Sequence, residues 1–378
     1  MPVPVPSLTV GIEEEYFLVD RQSRNLVADP HPDLMEVYRK LLETQVSPEF
    51  MRAQVEVGTK VGSNIAEAAA DLKGLRLAVA ETADKYGYAI IAASTHPFAD
   101  WAEQKTTDAD RYNTLAEDLQ TVVRRLLICG MHVHVGIDDD DMRIDFLAQA
   151  AYFLPHLLAL STSSPFWHGH NTGLKSYRLS VFDGLPRTGL PEEFSSWGEY
   201  QRHVGVLIEA GIIEDATKIW WDIRPSARYP TLEMRMTDIC TRADDTITIA
   251  ALFQALLHML YRRRRNNQRW RTYANMLVRE NRWRAQRYGG DEGLMDYGRG
   301  ELVPFATLID ELLDLLAKDA DELGTEAELE NVRDILERGT SADSQVAVFA
   351  KSIAGGADEH KAMCDVVDWL ISETVVGL

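Results

Sequence analysis

The sequence predicts an α+β fold: a largely antiparallel sheet with helices packed on one face and the other face open. Three observations lead there. Six short segments are rich in strand formers, and several alternate polar with apolar residues. Helical spacing fills the stretches between them, and from residue 243 to about residue 370 nearly everything reads as helix. Alternation means one buried and one wet face, as in antiparallel sheets, whereas strands of parallel sheets read as unbroken apolar runs. An open polar face is a place where a substrate can lie.

The first predicted strand covers residues 9–20, TVGIEEEYFLVD. Side chains alternate along a strand, so Glu13 and Glu15 share one face and Glu14 takes the other. Two like charges on one face call for a divalent cation between them, or mark a charged edge strand that resists aggregation. Residues 22–25 read as a turn, 29–32 (DPHP) as a stop, and 34–42 as a helix. Residues 54–60, QVEVGTK, form a second strand, with Val55, Val57 and Val61 on one face and Gln54, Glu56 and Gly58 on the other. A helix over 64–86 is capped by Ser63 or Asn64. Residues 89–94 are a third strand, 110–127 a helix, and 129–137 (CGMHVHVGI) a fourth strand. The acidic run 138–141 is a turn with a plain surface role, and 145–161 is an apolar helix. Residues 163–187 form a loop too long to be an idle connection. After a helix over 194–210, residues 218–223 (KIWWDI) and 231–236 (TLEMRM) form a hairpin of strands. The helical last third breaks at 289–300 and 339–342. With no repeat and no linker, the chain reads as a single domain, strand-rich over 8–240 and helical over 241–378.

The 378 residues are 46% hydrophobic and 26% charged, as in soluble globular proteins. A net charge of −20 argues against a nucleic-acid partner. Three scattered cysteines give neither a disulfide framework nor a zinc motif and fit a reducing, cytoplasmic location. The N-terminal MPVPVPSLTV lacks the pattern of a signal peptide, and no run is long enough for a membrane span. A homodimer would be ordinary.

The chemistry gathers on the polar faces of the strands. His132 and His134 lie two apart in GMHVHVG, so both point to one side, while Met131, Val133 and Val135 point into the core. Glu233 and Arg235 share a face, as a simple ion pair or as a metal ligand beside an anion clamp. Glu13, Glu15, Glu56, His132, His134 and Glu233 together make a mixed carboxylate and imidazole set that suits Mg²⁺ or Mn²⁺. Lys175, Arg178, Arg224 and Arg235 are candidates to hold an anionic substrate. Arg284 and Arg287 share one helix face, as further anion contacts or as a solvated basic surface. There is no GxxxxGK[ST], no GxGxxG after a strand and no GxSxG, which removes the common phosphate and nucleophile folds.

The set TVGIEEEYFLVD, QVEVGT, STHPF, GMHVHVG, SYR, WWDIRPS, LEMRMTD and NRWRAQRYG resembles the type 2 glutamate–cysteine ligase family, within its bacterial branch of ATP-dependent carboxylate–amine ligases. The match runs from about residue 8 to about residue 345. The site strands are also distantly similar to glutamine synthetase. The resemblance implies a curved antiparallel sheet of about six strands, as in glutamine synthetase and guanido kinases. It implies ATP and Mg²⁺ or Mn²⁺ ions. By position, Glu13, Glu15, Glu56, His132 and Glu233 match metal ligands and His134 a position near the ATP phosphates. Arg178 and Arg235 match anion-contacting positions. Arg178, Arg224 and Arg235 are the expected catalytic residues; His134, Lys175, Arg284 and Arg287 are expected to bind ATP. Two departures stand out. Ser344 precedes Gln345 where members often carry arginine, and Arg52 stands where some relatives carry an acid four residues before Glu56. That leaves one metal with fewer ligands, or leaning on Glu49.

The implied activity is amide synthesis through an acyl phosphate. The acid is expected to be the glutamate side chain and the amine one such as cysteine. The rival readings are a metal–nucleotide-binding regulator and a metal-dependent phosphotransferase without ligase activity.

Overall fold

The computed structural model describes residues 3–378, without the side chain of Arg111. A strand of eleven residues, β1 (Val10–Asp20), organises the sheet. The other strands are β2 (Val46–Pro48), β3 (Gln54–Gly58), β4 (Tyr88–Ile91), β5 (Met131–Gly136), β6 (Ile223–Pro225) and β7 (Thr231–Met234). They lie in the order β6-β7-β5-β1-β3-β2, and β4 pairs with the far end of β1. Every pairing in this sheet is antiparallel, as the alternation predicts.

The sheet has seven strands where six were expected. The extra one, β2, is three residues long at an edge, too short for alternation to show. The predicted strand 218–223 divides. Trp220–Trp221 pairs in parallel with Thr188–Gly189 outside the sheet, and Ile223–Pro225 enters the sheet beside β7. The helix expected over 110–127 stops at Gln120, whose φ of 49° no regular right-handed helix accepts. The apolar helix is two, Asp140–Ala150 and Leu154–Ser161. Val61 lies past the end of β3 and is exposed. Asn64, not Ser63, caps the helix Ile65–Asp84, its Oδ1 accepting from the Glu67 N–H at 2.9 Å.

One face of the sheet carries Val10, Ile12, Tyr16, Val55, Val57, Met131, Val133, Val135, Leu232 and Met234, all buried. The helices Ile65–Asp84 and Ala243–Arg265 cover this face. Ala243–Arg265 is buried on nearly every side from Ala243 to Tyr261, as a helix in the middle of a core must be. Among the described residues no single helix is long and apolar enough to cross a membrane.

Glu14 points into this core and is fully buried, as is its partner Arg76. Arg76 donates from Nε and Nη2 to the two Glu14 oxygens at 3.0 and 2.6 Å. Its other N–H groups reach the carbonyls of Thr241 at 2.7 Å, Cys240 at 3.1 Å and Thr374 at 3.4 Å. The Tyr16 and Thr246 hydroxyls complete the Glu14 shell. All five guanidinium N–H groups are therefore satisfied, which is what makes a buried ion pair tolerable. Deleting one partner strands the other charge without water. Arg76→Leu is therefore expected to lower the unfolding free energy by about 3–5 kcal/mol. Urea titration checks this, and a change in the ordinary surface range would contradict it.

His96 is buried too, and its surroundings fit only the neutral ring. Its Nδ1 accepts from the Phe98 and Ala99 N–H groups at 3.2 and 3.0 Å, and its Nε2 is 2.9 Å from the Arg24 carbonyl. Burial holds its pKa at about 4, below the ordinary 6.5. The unfolded chain thus binds a proton that the folded chain refuses between those values. This stabilisation is full above about pH 6.5 and is lost as pH falls towards 4, a loss of about 3 kcal/mol. His96→Asn, whose Oδ1 can accept the same N–H groups, is expected to flatten that part of the stability–pH curve in calorimetry.

Candidate active site

The register of the strands sets the open face. Glu13 on β1 stands opposite His132 on β5, and Glu15 stands opposite Glu56 on β3. His134 stands opposite Glu233 on β7, and Glu233 opposite Arg224 on β6. Residues far apart in sequence thus become neighbours about one strand spacing apart. They line a cavity of about 550 Å³, together with Arg178 and Arg235.

Charge is sorted along this cavity. Arg224 grips Glu233 with two hydrogen bonds, Nε at 2.8 Å and Nη2 at 3.1 Å, and Arg235 also pairs with Glu233. Burial pushes the Glu233 carboxyl up, but Arg235, His134 and Arg224 outweigh it and hold the carboxyl below the usual range. Glu13 lies between two imidazoles, 3.1 Å from His132 Nδ1 and 3.5 Å from His134 Nε2. Here too burial is outweighed, and the Glu13 carboxyl is held low by His132 and His134. Burial and the neighbouring Arg235 push the His132 ring down to about 4. His134 goes up: burial opposes this, but Glu13 and Glu233 prevail. Its Nδ1 is 3.0 Å from the Thr231 hydroxyl, while its Nε2 is buried without a good hydrogen bond.

At the other end Glu15, Glu49 and Glu56 each place a carboxylate oxygen within 4.8 Å of the others. Burial and the Glu56 charge push Glu15 up to about 7, and the same two causes hold Glu49 well above its ordinary value. Burial and Glu13 raise Glu56. Three half-buried acids so close repel one another when ionised, and an oxygen-seeking cation relieves that repulsion. The donor set fits a hard divalent ion.

Of the residues singled out in the sequence, Glu13, Glu15, Glu56, His132, His134, Arg178, Arg224, Glu233 and Arg235 all meet at the cavity. Lys175, Arg284 and Arg287 do not line it. Lys175 Nζ is 2.6 Å from Asp343 and 2.7 Å from Asp291, which hold it away. Arg284 donates to the carbonyls of Gly293 and Glu292 and stacks over Tyr288, and Arg287 lies over the same ring. The nearer partners take these cations. Arg52 is also elsewhere, paired with Asp29. Ser344 sits in the helix Ser341–Ala354 and does not line the cavity; the neighbouring Gln345 donates to the Ser163 carbonyl at 2.9 Å.

Glu49 entered the sequence reading only as a fallback ligand. It lies between β2 and β3, where no alternation fixes its direction. Asp238 had no reading at all, yet it holds the approach to Arg178. Its Oδ2 accepts from Ser163 N–H and the Ser164 hydroxyl at 2.9 and 2.7 Å, and its Oδ1 from the Ser176 hydroxyl at 2.8 Å. The Ser164 hydroxyl in turn accepts the Arg178 N–H at 3.1 Å. Gly130 makes room for the side chain, since a Cβ there would run into the Arg178 guanidinium. Gly130→Ala is accordingly expected to displace Arg178 and lower kcat/KM by about a hundredfold, with the unfolding midpoint moved far less than by Arg76→Leu. Steady-state kinetics together with a melting curve tests both halves.

Comparison with solved structures gives the class of fold. The chain superposes on a glutamate–cysteine ligase from Francisella tularensis, crystallised with AMP, with a TM-score of 0.69 at 15% identity, covering 100% of this chain and 90% of that one. A bifunctional glutathione synthetase from Pasteurella multocida gives the same TM-score at 14% identity, covering 97% of this chain; the chain spans about half, 52%, of that protein. The fold is thus one found in carbon–nitrogen ligases. The family model for glutamate-cysteine ligase family 2 (GCS2) matches residues 9–363, and the chain belongs to that family. It is an ATP-dependent carboxylate–amine ligase. Relatives named "Putative glutamate--cysteine ligase 2" are 62% identical in Rhodospirillum rubrum, over 99% of this chain and 97% of that protein, and 52% identical in Jannaschia, over 98% and 97%.

Proposed function

We propose that the protein, acting as one catalytic domain, joins the side-chain carboxylate of glutamate to a small amine at the expense of ATP. One observation supports this most: a triad of half-buried carboxylates and a cluster of arginines share a single cavity. Glu15, Glu49 and Glu56 are proposed to hold one Mg²⁺ or Mn²⁺, and Glu13, His132 and Glu233 to serve a second. Bound there, the ions would neutralise phosphate charge.

The chain's own groups then do the following. Arg178, Arg224 and Arg235 bind and orient the anionic groups of ATP and the acid. The substrate carboxylate attacks the γ-phosphorus, ADP leaves, and an acyl phosphate forms. The amine adds to the acyl carbon, and Arg178 or Arg235 offsets the negative oxygen of the tetrahedral state. Phosphate then leaves and the amide remains. His134, whose Nε2 lies 3.5 Å from Glu13 on the cavity wall, is proposed to face the phosphates. No side chain is acylated, so no activated serine or cysteine is needed. Lys175, Arg284 and Arg287 have no part in this proposal, because they lie off the cavity.

Two variants test it. Glu13→Ala is expected to abolish acid-dependent ADP release while the protein stays folded. Glu49→Gln is expected to remove the rise in melting temperature that Mn²⁺ gives the wild type, since a ligand that binds only the folded state stabilises it. A Glu13→Ala enzyme at wild-type rate, or an unchanged Mn²⁺ effect in Glu49→Gln, would reject the assignment.

A further inference from the structure

The motif at 281–289, NRWRAQRYG, sends Arg284 and Arg287 off the cavity, but it holds a third arginine, Arg282, which is buried. Arg282 lies on the helix Asn275–Tyr288, on the buried face with Val278, Asn281 and Ala285. Its guanidinium joins two carboxylates. Nε and Nη2 donate to the two Asp222 oxygens at 2.8 and 3.0 Å, and Nη1 and Nη2 donate to the two Asp183 oxygens at 2.7 and 2.8 Å. The Asp222 side chain is fully buried, whereas Asp183 is partly exposed.

These two acids belong to the segments that carry the arginines of the site. Asp183 directly follows the short helix Arg178–Phe182, and its N–H donates to the Leu179 carbonyl at 2.8 Å. Asp222 directly precedes β6, two residues before Arg224, and its carbonyl accepts the Arg235 N–H at 2.8 Å. The Arg235 carbonyl in turn accepts from Arg178 Nη1 and Nη2, each at 3.3 Å. A closed ring results: Arg282 to Asp222, to Arg235, to Arg178, along its helix to Asp183, and back to Arg282. Gln286, one turn further on, grips the same segment. Its Nε2 donates to the Ser180 hydroxyl at 2.7 Å, and its carbonyl accepts the Lys175 and Ser176 N–H groups at 2.9 and 3.0 Å. Arg178 and Arg235 line the cavity, while Asp183, Asp222 and Arg282 stand behind it. Arg282 therefore touches no substrate held in the cavity.

Resting on the ligase reading, we infer that Arg282 is a positioning residue of the reaction: by bridging Asp183 and Asp222 it fixes the Arg178 and Arg235 guanidiniums relative to each other. Asp238 steadies the start of the Arg178 helix, through Ser164. The Arg282 bridge ties the end of that helix to the segments of Arg224 and Arg235. Lysine cannot make this bridge, because an ammonium lacks the planar fork that holds carboxylates two-pronged. A bound anion can follow a guanidinium displaced by about 1 Å, but a transition state, held by its partial bonds, cannot. The loss therefore falls on kcat more than on KM.

The assay supplies glutamate, Mg·ATP and hydroxylamine, which traps an acyl phosphate as a hydroxamate whatever the natural amine. Arg282→Lys, studied well below its melting midpoint, is expected to lose about a hundredfold in kcat, with KM for glutamate moved by less than about threefold. Asp222→Asn combined with Arg282→Gln removes the buried charges together, and guards against misfolding of the single variant. It is expected to show the same loss. Asn281→Ala is the control for helix docking, since Asn281 holds Met295 by hydrogen bonds of 2.9 and 2.7 Å and is no part of the ring. That variant is expected to melt earlier, with kcat within about twofold of the wild type. On an Arg178→Lys background, Arg282→Lys is expected to cost less than about tenfold, because the group it positions is already changed. Wild-type kcat in the folded Arg282 variants, an equal cost in both backgrounds, or an equal loss in Asn281→Ala would overturn the inference and leave the ligase reading standing. No hydroxamate from the wild type would overturn both.

Discussion

Glu14 and Arg76 meet on the core side of the central strand, fully removed from solvent, at 2.6 Å. The strand's other face carries Glu13 and Glu15. A slip of one residue in its pairing would send the site carboxylates into the core and Glu14 into the cavity. The buried pair makes that slip costly, because the Arg76 guanidinium is pinned by carbonyls from the segment 240–241 and from Thr374 near the chain's end, which fix where its carboxylate partner must stand. Register, helix docking and the C-terminal segment are thus tied at one point beneath the site. The ion pair contributes specificity of arrangement more than net stability.

Above that point the site works by opposed charge. Glu233 takes two arginines and becomes their organiser, so the cations stay aimed into the cavity when no anion is present. Glu13 performs the same service for two histidines. The three acids at the far end accept hydrogen bonds from Gly130, Ser47 and Phe50, but these do not offset burial and mutual repulsion, and the raised affinity of the acids for protons expresses that shortfall. Cations already fixed in place by Glu233 need not rearrange as negative charge develops beside them.

Much of this was readable from alternation. Glu13, Glu15, Glu56, His132, His134 and Glu233 lie on strands, where a period of two fixes their side, and the polar side proved to be the open one. Glu49 lies in a loop, where no period applies. The arginines divide by the same logic. Arg178, Arg224 and Arg235 are held by partners within or beside the sheet. Arg284 and Arg287 sit on a helix whose amphipathic face says nothing about which neighbour it will meet, and Lys175 has two acids closer than the cavity. The missed strand, Val46–Pro48, is too short to show any pattern at all.

Periodicity and side-chain chemistry are enough to give the class of fold, the facing of the strand residues and the ligand types on the open side. Tertiary structure decided which strands lie next to one another, that Glu49 joins Glu15 and Glu56, and that Arg284 and Arg287 lie off the cavity. Those outcomes depend on loop paths and on helix docking, where the energy comes from contacts between residues far apart in the chain and no local pattern records it.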